Sequence, residues 1–232
     1  METTSFLLNP WVIFIGIAVL SWVVQIAFQA KFKRYSKVAL PCGLSGADVA
    51  RKMLADNGIT DVTVCQTNGI LTDHYDPTSK TVNLSANVYN SCSVAAAAVA
   101  AHECGHAVQH AYGYAPLKVR SALVPAVCFS SKYVSWILLA GMLLLNVFPG
   151  LMLLGIVLFA VTTLFSFVTL PVEINASSRA LAWLNNAGIT DYETHSQAES
   201  ALRSAAYTYV VAALSSLATL FYYILIFASR RD

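Results

Sequence analysis

Charge is what this 232-residue chain has least of. Asp, Glu, Lys and Arg make up 11% of it, against 57% hydrophobic residues, and the mean hydropathy is +0.61. That is too little charge for an ordinary soluble domain and is a membrane composition. The net charge of only +2 gives no argument for nucleic acid as a partner. Cysteine is sparse as well. The five residues Cys42, Cys65, Cys92, Cys104 and Cys128 are odd in number and contain no C-x-x-C pair. They fit a reducing compartment better than a disulfide framework. Positive charge is absent from Met1 to Ser5, whereas Lys31, Lys33, Arg34 and Lys37 follow the first apolar stretch. A cleaved signal peptide has the opposite arrangement, so this stretch is expected to be a retained anchor.

Long hydrophobic runs are abundant. Four transmembrane helices are expected, over residues 9–29, 126–147, 150–171 and 205–228. The middle pair comes from Tyr133 to Leu170, 38 residues without a charge, broken at Asn146 to Gly150 by Pro149-Gly150. Lys132 is expected to snorkel to the interface. The spans carry no acidic residue at mid-depth, which argues against a transporter pathway. The segments 31–132 and 173–203 hold 12 of the 14 Lys and Arg residues, and Arg230 and Arg231 hold the rest. By the positive-inside rule the two large polar segments, 31–120 and 172–204, are cytoplasmic and both termini lie outside. A multi-pass protein of a bacterial-type plasma membrane follows, with the lipid bilayer as a partner.

Within the first polar segment, Ser45 can N-cap a helix running to Asn57, with Gly58 as its left-handed stop. Asp61–Gln66, Gly69–Tyr75 and Thr81–Ser85 read as strands, the last two joined by the turn Asp76-Pro77-Thr78-Ser79-Lys80. An alanine-rich helix follows from about Ser93 to Tyr112, ended by Gly113 and Pro116. The expectation is a small three-stranded sheet packed on that helix. Leu54 to Asp61 resembles Leu184 to Asp191, but the echo covers only a helix end, its glycine cap and a restart. It reads as shared capping chemistry, not a duplicated domain. At the second copy, Thr190 and Glu193 form a T-x-x-E capping box.

The most informative stretch lies on the alanine-rich helix: His102-Glu103-Cys104-Gly105-His106. With five His and five Glu in the chain, about 0.002 chance matches to H-E-x-x-H are expected. On a helix the two histidines are one turn apart on one face, so both imidazoles reach one metal ion. Glu103 lies beside them, close enough to take a proton from a metal-bound water. Cys104 points away from that face and reads as a buried free thiol. Cys104 and Gly105 are small and leave room near the ion.

A catalytic zinc site takes three protein ligands and keeps one position open. His110 continues the i, i+4 series but lies about 12 Å from His102 along the axis, too far to share an ion bound at about 2 Å. It reads as a polar or supporting residue. His74 and His195 remain open as third ligands. Glu173 is the better choice, because it follows the third span directly and so falls on the same membrane face as the motif. Pro171 suits the first turn of a new helix, on which Glu173, Ala176, Ser177, Ala180 and Leu181 share a face. The small residues there permit close approach to the alanine-rich helix.

Three segments, Leu71-Thr72-Asp73-His74-Tyr75-Asp76-Pro77, Ala100 to His110 around the motif, and Leu170-Pro171-Val172-Glu173-Ile174-Asn175-Ala176-Ser177, resemble the YugP-type membrane zinc metallopeptidases. The likeness covers nearly the whole chain. More distantly the chain resembles the HtpX-type and CAAX prenyl proteases, whose third ligand is a Glu in an E-x-x-A-D motif; Ser177 is a departure, where those families have Asp. The resemblance implies that His102, His106 and Glu173 are zinc ligands and Glu103 the general base.

The expected fold is therefore a mainly α membrane protein of about four spans with a small α+β zincin-like cytoplasmic domain carrying H-E-x-x-H. The expected function is a zinc-dependent endopeptidase acting on a membrane or membrane-proximal polypeptide. The substrate joins a sheet edge, Gly69–Tyr75 or Thr81–Ser85, and His74 stabilises the oxyanion. The rival is a catalytically silent zinc-binding membrane adaptor or chaperone. In such a site the Glu between the histidines has no purpose.

Overall fold

The structure is a computed structural model that describes residues 10–229. The flank Met1 to Ser5, which lacks Lys and Arg, the first residue of the 9–29 span and the Arg230-Arg231 pair lie outside the described residues. The described chain is mostly helical. In order it forms α1 (Pro10–Tyr35), α2 (Gly46–Asp56), β1 (Thr63–Thr67), β2 (His74–Asp76), β3 (Thr81–Ser85), α3 (Ala86–Tyr89), α4 (Val94–Ala111), α5 (Ala115–Leu143), α6 (Pro149–Asn186) and α7 (Tyr192–Ser229). Among the described residues four helices, α1, α5, α6 and α7, are long and apolar enough to cross a membrane.

Two compact units emerge. Among the described residues one comprises 10–23, 119–170 and 208–229, the other 24–118 and 171–207. In the first, Val134 and Leu138 of α5 pack on Met152 and Ile156 of α6. Glycine permits that crossing. A Cβ on Gly141 would lie 2.7 Å from the Met152 Cα, and one on Gly155 2.7 Å from a Leu138 methyl. Pro149 opens α6, the position where its missing N–H costs nothing.

The second unit is built around α4. Thirteen of its 18 residues are buried. Val49, Ala50, Met53 and Leu54 of α2, Val82 and Leu84 of β3, Ala180 and Leu184 of α6, and Ala198 and Leu202 of α7 share its core. Alanine suits such a hub, because it favours helix while letting neighbouring backbones come close. Ser93 caps the helix by accepting from the Ala96 N–H. Ser45 and Asp48 form a reciprocal capping box at the start of α2. The Leu54 and Leu184 segments close alike: Gly58 and Gly188 have φ of 70° and 65°, and Ile59 and Ile189 donate to the Leu54 and Leu184 carbonyls at 2.9 and 3.0 Å. Both are Schellman turns, as shared capping chemistry requires.

The sheet is mixed, in the order β1-β3-β2, with β1 parallel and β2 antiparallel to β3. Four expectations are corrected here. Thr81–Ser85 is the central strand, paired on both sides, so it offers no free edge. Residues 69–73 are not strand. Gly69 and Leu71 take positive φ (108° and 58°), and the Thr72 hydroxyl donates to the Asn68 carbonyl, so the chain turns before β2. Pro171 does not begin a helix but lies inside α6. The remaining correction concerns α7. Its box is formed by Asp191 and Thr194, with the Thr194 N–H donating to the Asp191 carboxylate at 2.8 Å and the Asp191 N–H to the Thr194 hydroxyl at 2.9 Å. Thr190 instead meets His195.

Candidate metal centre

Helical spacing puts His102 and His106 on one face of α4, with ring centroids 4.8 Å apart and planes at 83°. Both rings turn Nε2 toward the same atom of α6. The Glu173 Oε2 lies 3.2 Å from the His102 Nε2 and 3.6 Å from the His106 Nε2. Two imidazole nitrogens and a carboxylate oxygen thus stand within 4.8 Å of one another. Donors sharing one tetrahedral ion at about 2.0–2.1 Å would be about 3.3–3.4 Å apart, so the set has the spacing and chemistry of a three-ligand zinc site.

Close helix approach makes this possible. Gly105 sits directly under α6, where an added Cβ would meet the Ala176 carbonyl oxygen at 2.7 Å. Its small size therefore serves the helix contact; the sequence had suggested room near the ion. Glu173 is 3% exposed and His106 8%. A buried carboxylate needs compensating positive charge or strong donors, and here it faces two imidazoles. Burial disfavours a charged His106 ring. The adjacent Glu173 carboxylate, together with the charge of Glu103, outweighs that and holds its pKa above the ordinary imidazole value.

Each histidine has its second nitrogen engaged. The His102 Nδ1 lies 3.0 Å from the Ser177 hydroxyl, four residues beyond Glu173 on α6. The His106 Nδ1 lies 3.0 Å from the Gln109 Oε1. Ser177 thus supplies a partner where the distant families have Asp. Neither contact was visible from the motif, although a fully buried glutamine in an alanine-rich helix is a signal for one.

Glu103 is held from the sheet. The Tyr75 N–H donates to its Oε2 at 3.1 Å. The ring of the same tyrosine reaches along α4, and its hydroxyl lies 2.8 Å from the His110 Nδ1. His110 is exposed and takes no part in the metal group. His195 sits at the start of α7 on Thr190. His74 is exposed on β2. Its Nδ1 donates to the Thr72 carbonyl at 2.8 Å, and its Nε2 accepts from Asn83 at 3.3 Å. Both nitrogens are engaged within its own hairpin. Cys104 is fully buried, with its thiol toward the Ala50 carbonyl and its pKa pushed up by burial and the nearby Glu103 charge.

No solved structure matches the chain. The chain is 43% identical over 222 residues to the "putative membrane protease YugP" of Bacillus subtilis strain 168, covering 95% of this chain and 98% of that protein. The profile of the putative neutral zinc metallopeptidase family matches residues 10–228, nearly everything the structure describes. A paired-histidine helix brought against a buried glutamate is thus carried by a chain that belongs to the putative neutral zinc metallopeptidase family.

Proposed function

We propose that this membrane protein is a zinc-dependent endopeptidase of gluzincin type, with His102, His106 and Glu173 holding the ion and Glu103 as general base. The observation that carries it is the convergence of the two Nε2 atoms on the Glu173 carboxylate. Bound zinc supplies Lewis acidity toward the scissile carbonyl and makes a coordinated water acidic enough to be deprotonated near neutral pH.

The protein's own groups do the rest. The Tyr75 N–H fixes one oxygen of Glu103, so the carboxylate is aimed before substrate arrives. Oε1 takes the proton of the attacking water and then passes it to the leaving amine. The Nδ1 contacts of Ser177 and Gln109 orient both rings and leave their Nε2 atoms as the ones that would hold the ion.

Substrate joins the outer edge of β2 in extended form. That edge lies beside Glu103, which takes the Tyr75 N–H, so the substrate strand would pair there through the Tyr75 carbonyl. His74 is left out of the oxyanion role because its nitrogens are already bonded. The polar segments are read as cytoplasmic from their excess of Lys and Arg. The substrate is a membrane or membrane-proximal polypeptide.

Zinc content measured alongside cleavage of an unfolded protein by the detergent-purified chain tests the reading. Stoichiometric zinc with turnover is expected. Zinc with no turnover across varied substrates would point to the silent adaptor instead.

A further inference from the structure

Gln109 is completely buried on α4, one turn beyond His106. Its amide Nε2 donates to the Val172 carbonyl at 2.8 Å and to the Asn175 Oδ1 at 3.0 Å. A backbone carbonyl can only accept. The Asn175 Oδ1 is likewise identified as an oxygen by Arg179, whose Nε donates to it at 2.8 Å. The end of the Gln109 amide facing α6 must therefore be its NH2. The other end must be Oε1, and it lies 3.0 Å from the His106 Nδ1. An amide oxygen there requires the ring hydrogen on Nδ1. A neutral imidazole with that hydrogen carries its lone pair on Nε2, the atom facing Glu173.

The geometry points to Gln109 as a positioning residue that sets the tautomer of His106. It also ties that ring to α6 at Val172, the residue before Glu173, so one amide organises two ligands of the proposed site. The working motif is then H-E-x-x-H-x-x-Q rather than H-E-x-x-H. This rests on the zinc reading above only for its effect on affinity. The tautomer itself is a property of the protein alone, because every partner of Gln109 belongs to the chain.

Gln109→Leu and Gln109→Glu separate this role from that of a mere strut between helices. Leucine removes both ends of the amide. Glutamate keeps an acceptor for the His106 N–H and, protonated on its other oxygen, a donor for the Val172 carbonyl. The full chain, 15N-labelled at histidine and stripped of metal with a chelator, is read by ring 15N shifts, His106 being assigned by its loss in His106→Ala. Zinc affinity is read separately by chelator competition.

Wild-type His106 is expected to carry hydrogen on Nδ1, the atom that faces the Gln109 oxygen. Gln109→Leu is expected to show mixed tautomers and zinc binding weakened about 10–100-fold. Gln109→Glu is expected to restore the tautomer and most of the affinity. If Gln109→Leu does not fold, wild type and Gln109→Glu still decide the matter. A wild-type ring without hydrogen on Nδ1, an unchanged tautomer in Gln109→Leu, or equal zinc loss in both variants with the tautomer intact would each overturn the assignment. A wild-type chain that takes up no zinc would sink the metal reading, while the tautomer measurement would still stand or fall by itself.

Discussion

Gly105 and Ala176 touch backbone to backbone. A Cβ at residue 105 would lie 2.7 Å from the Ala176 oxygen and 3.2 Å from its Cα and carbonyl carbon. The spacing between the two histidines and Glu173 depends on that contact, because these groups flank it on the same two helices.

Gly105→Ala should therefore destabilise the protein. Alanine gains about 1 kcal/mol of helix propensity over glycine. Forcing a methyl into a backbone carbonyl in a packed core costs about 1–3 kcal/mol and moves α6 outward. Thermal unfolding in detergent and zinc content measure the two effects, and both are expected to fall. An unchanged melting curve with full zinc would mean the helices do not need this contact.

Glu103→Gln should keep near-normal zinc and lose nearly all proteolysis, since an amide cannot accept the water's proton. A lost general base costs about 10²–10⁴-fold. Comparable kcat in the variant would remove Glu103 from the chemistry.

Glu173→Ala should strip the metal, whereas Glu193→Ala and Glu199→Ala should leave it. Glu193 and Glu199 lie on α7, where they bond Gln197 and Arg203. Metal analysis of the three purified variants decides. Zinc retained in Glu173→Ala and lost in His74→Ala or His195→Ala would make the third ligand a histidine.

Tyr75→Pro removes the N–H that anchors Glu103, and proline is tolerated on a strand edge. Tyr75→Ala removes the ring but keeps the N–H. A hydrogen bond to a charged group contributes about 1.5–3 kcal/mol, so kcat should fall at least about tenfold further in Tyr75→Pro than in Tyr75→Ala. Equal rates would show that Glu103 is aimed by something else.

Cys104 should resist alkylation. Its thiol is buried and its pKa raised, so the reactive thiolate is scarce at mildly alkaline pH. Mass spectrometry after iodoacetamide treatment of the folded protein should find Cys42 and Cys92, both exposed, modified and Cys104 intact. Labelling of Cys104 at the rate of Cys42 would contradict its burial.

Periodicity and local chemistry made α4, its paired histidines, the Ser45 cap and the small-residue face around Glu173 readable from the chain alone. Each depends on residues within a few positions of one another. Strand order did not, because the parallel pairing of β1 with β3 joins segments far apart in the chain and neither strand's own pattern encodes it. The start of α7 was misplaced by one residue, since Thr190-Glu193 and Asp191-Thr194 are both plausible boxes and only the backbone path selects one. Pro171 was read as a beginning because proline favours the first turn; inside α6 its cost is one lost N–H and a tight carbonyl, which the surrounding helix absorbs. The roles of Gln109 and Ser177 needed the distance between two helices, which no single segment encodes.

The burial of α4 and the brevity of β2 set two different clocks. A helix with thirteen of 18 residues buried opens only when the whole unit does, so its amides exchange hydrogen slowest. A three-residue outer strand with an exposed His74 breathes far more cheaply. The histidine-bearing helix is thus the rigid element of its unit and the outer strand the compliant one. On the proposed reading, a substrate strand would be accommodated by movement of β2 while the histidines hold their place.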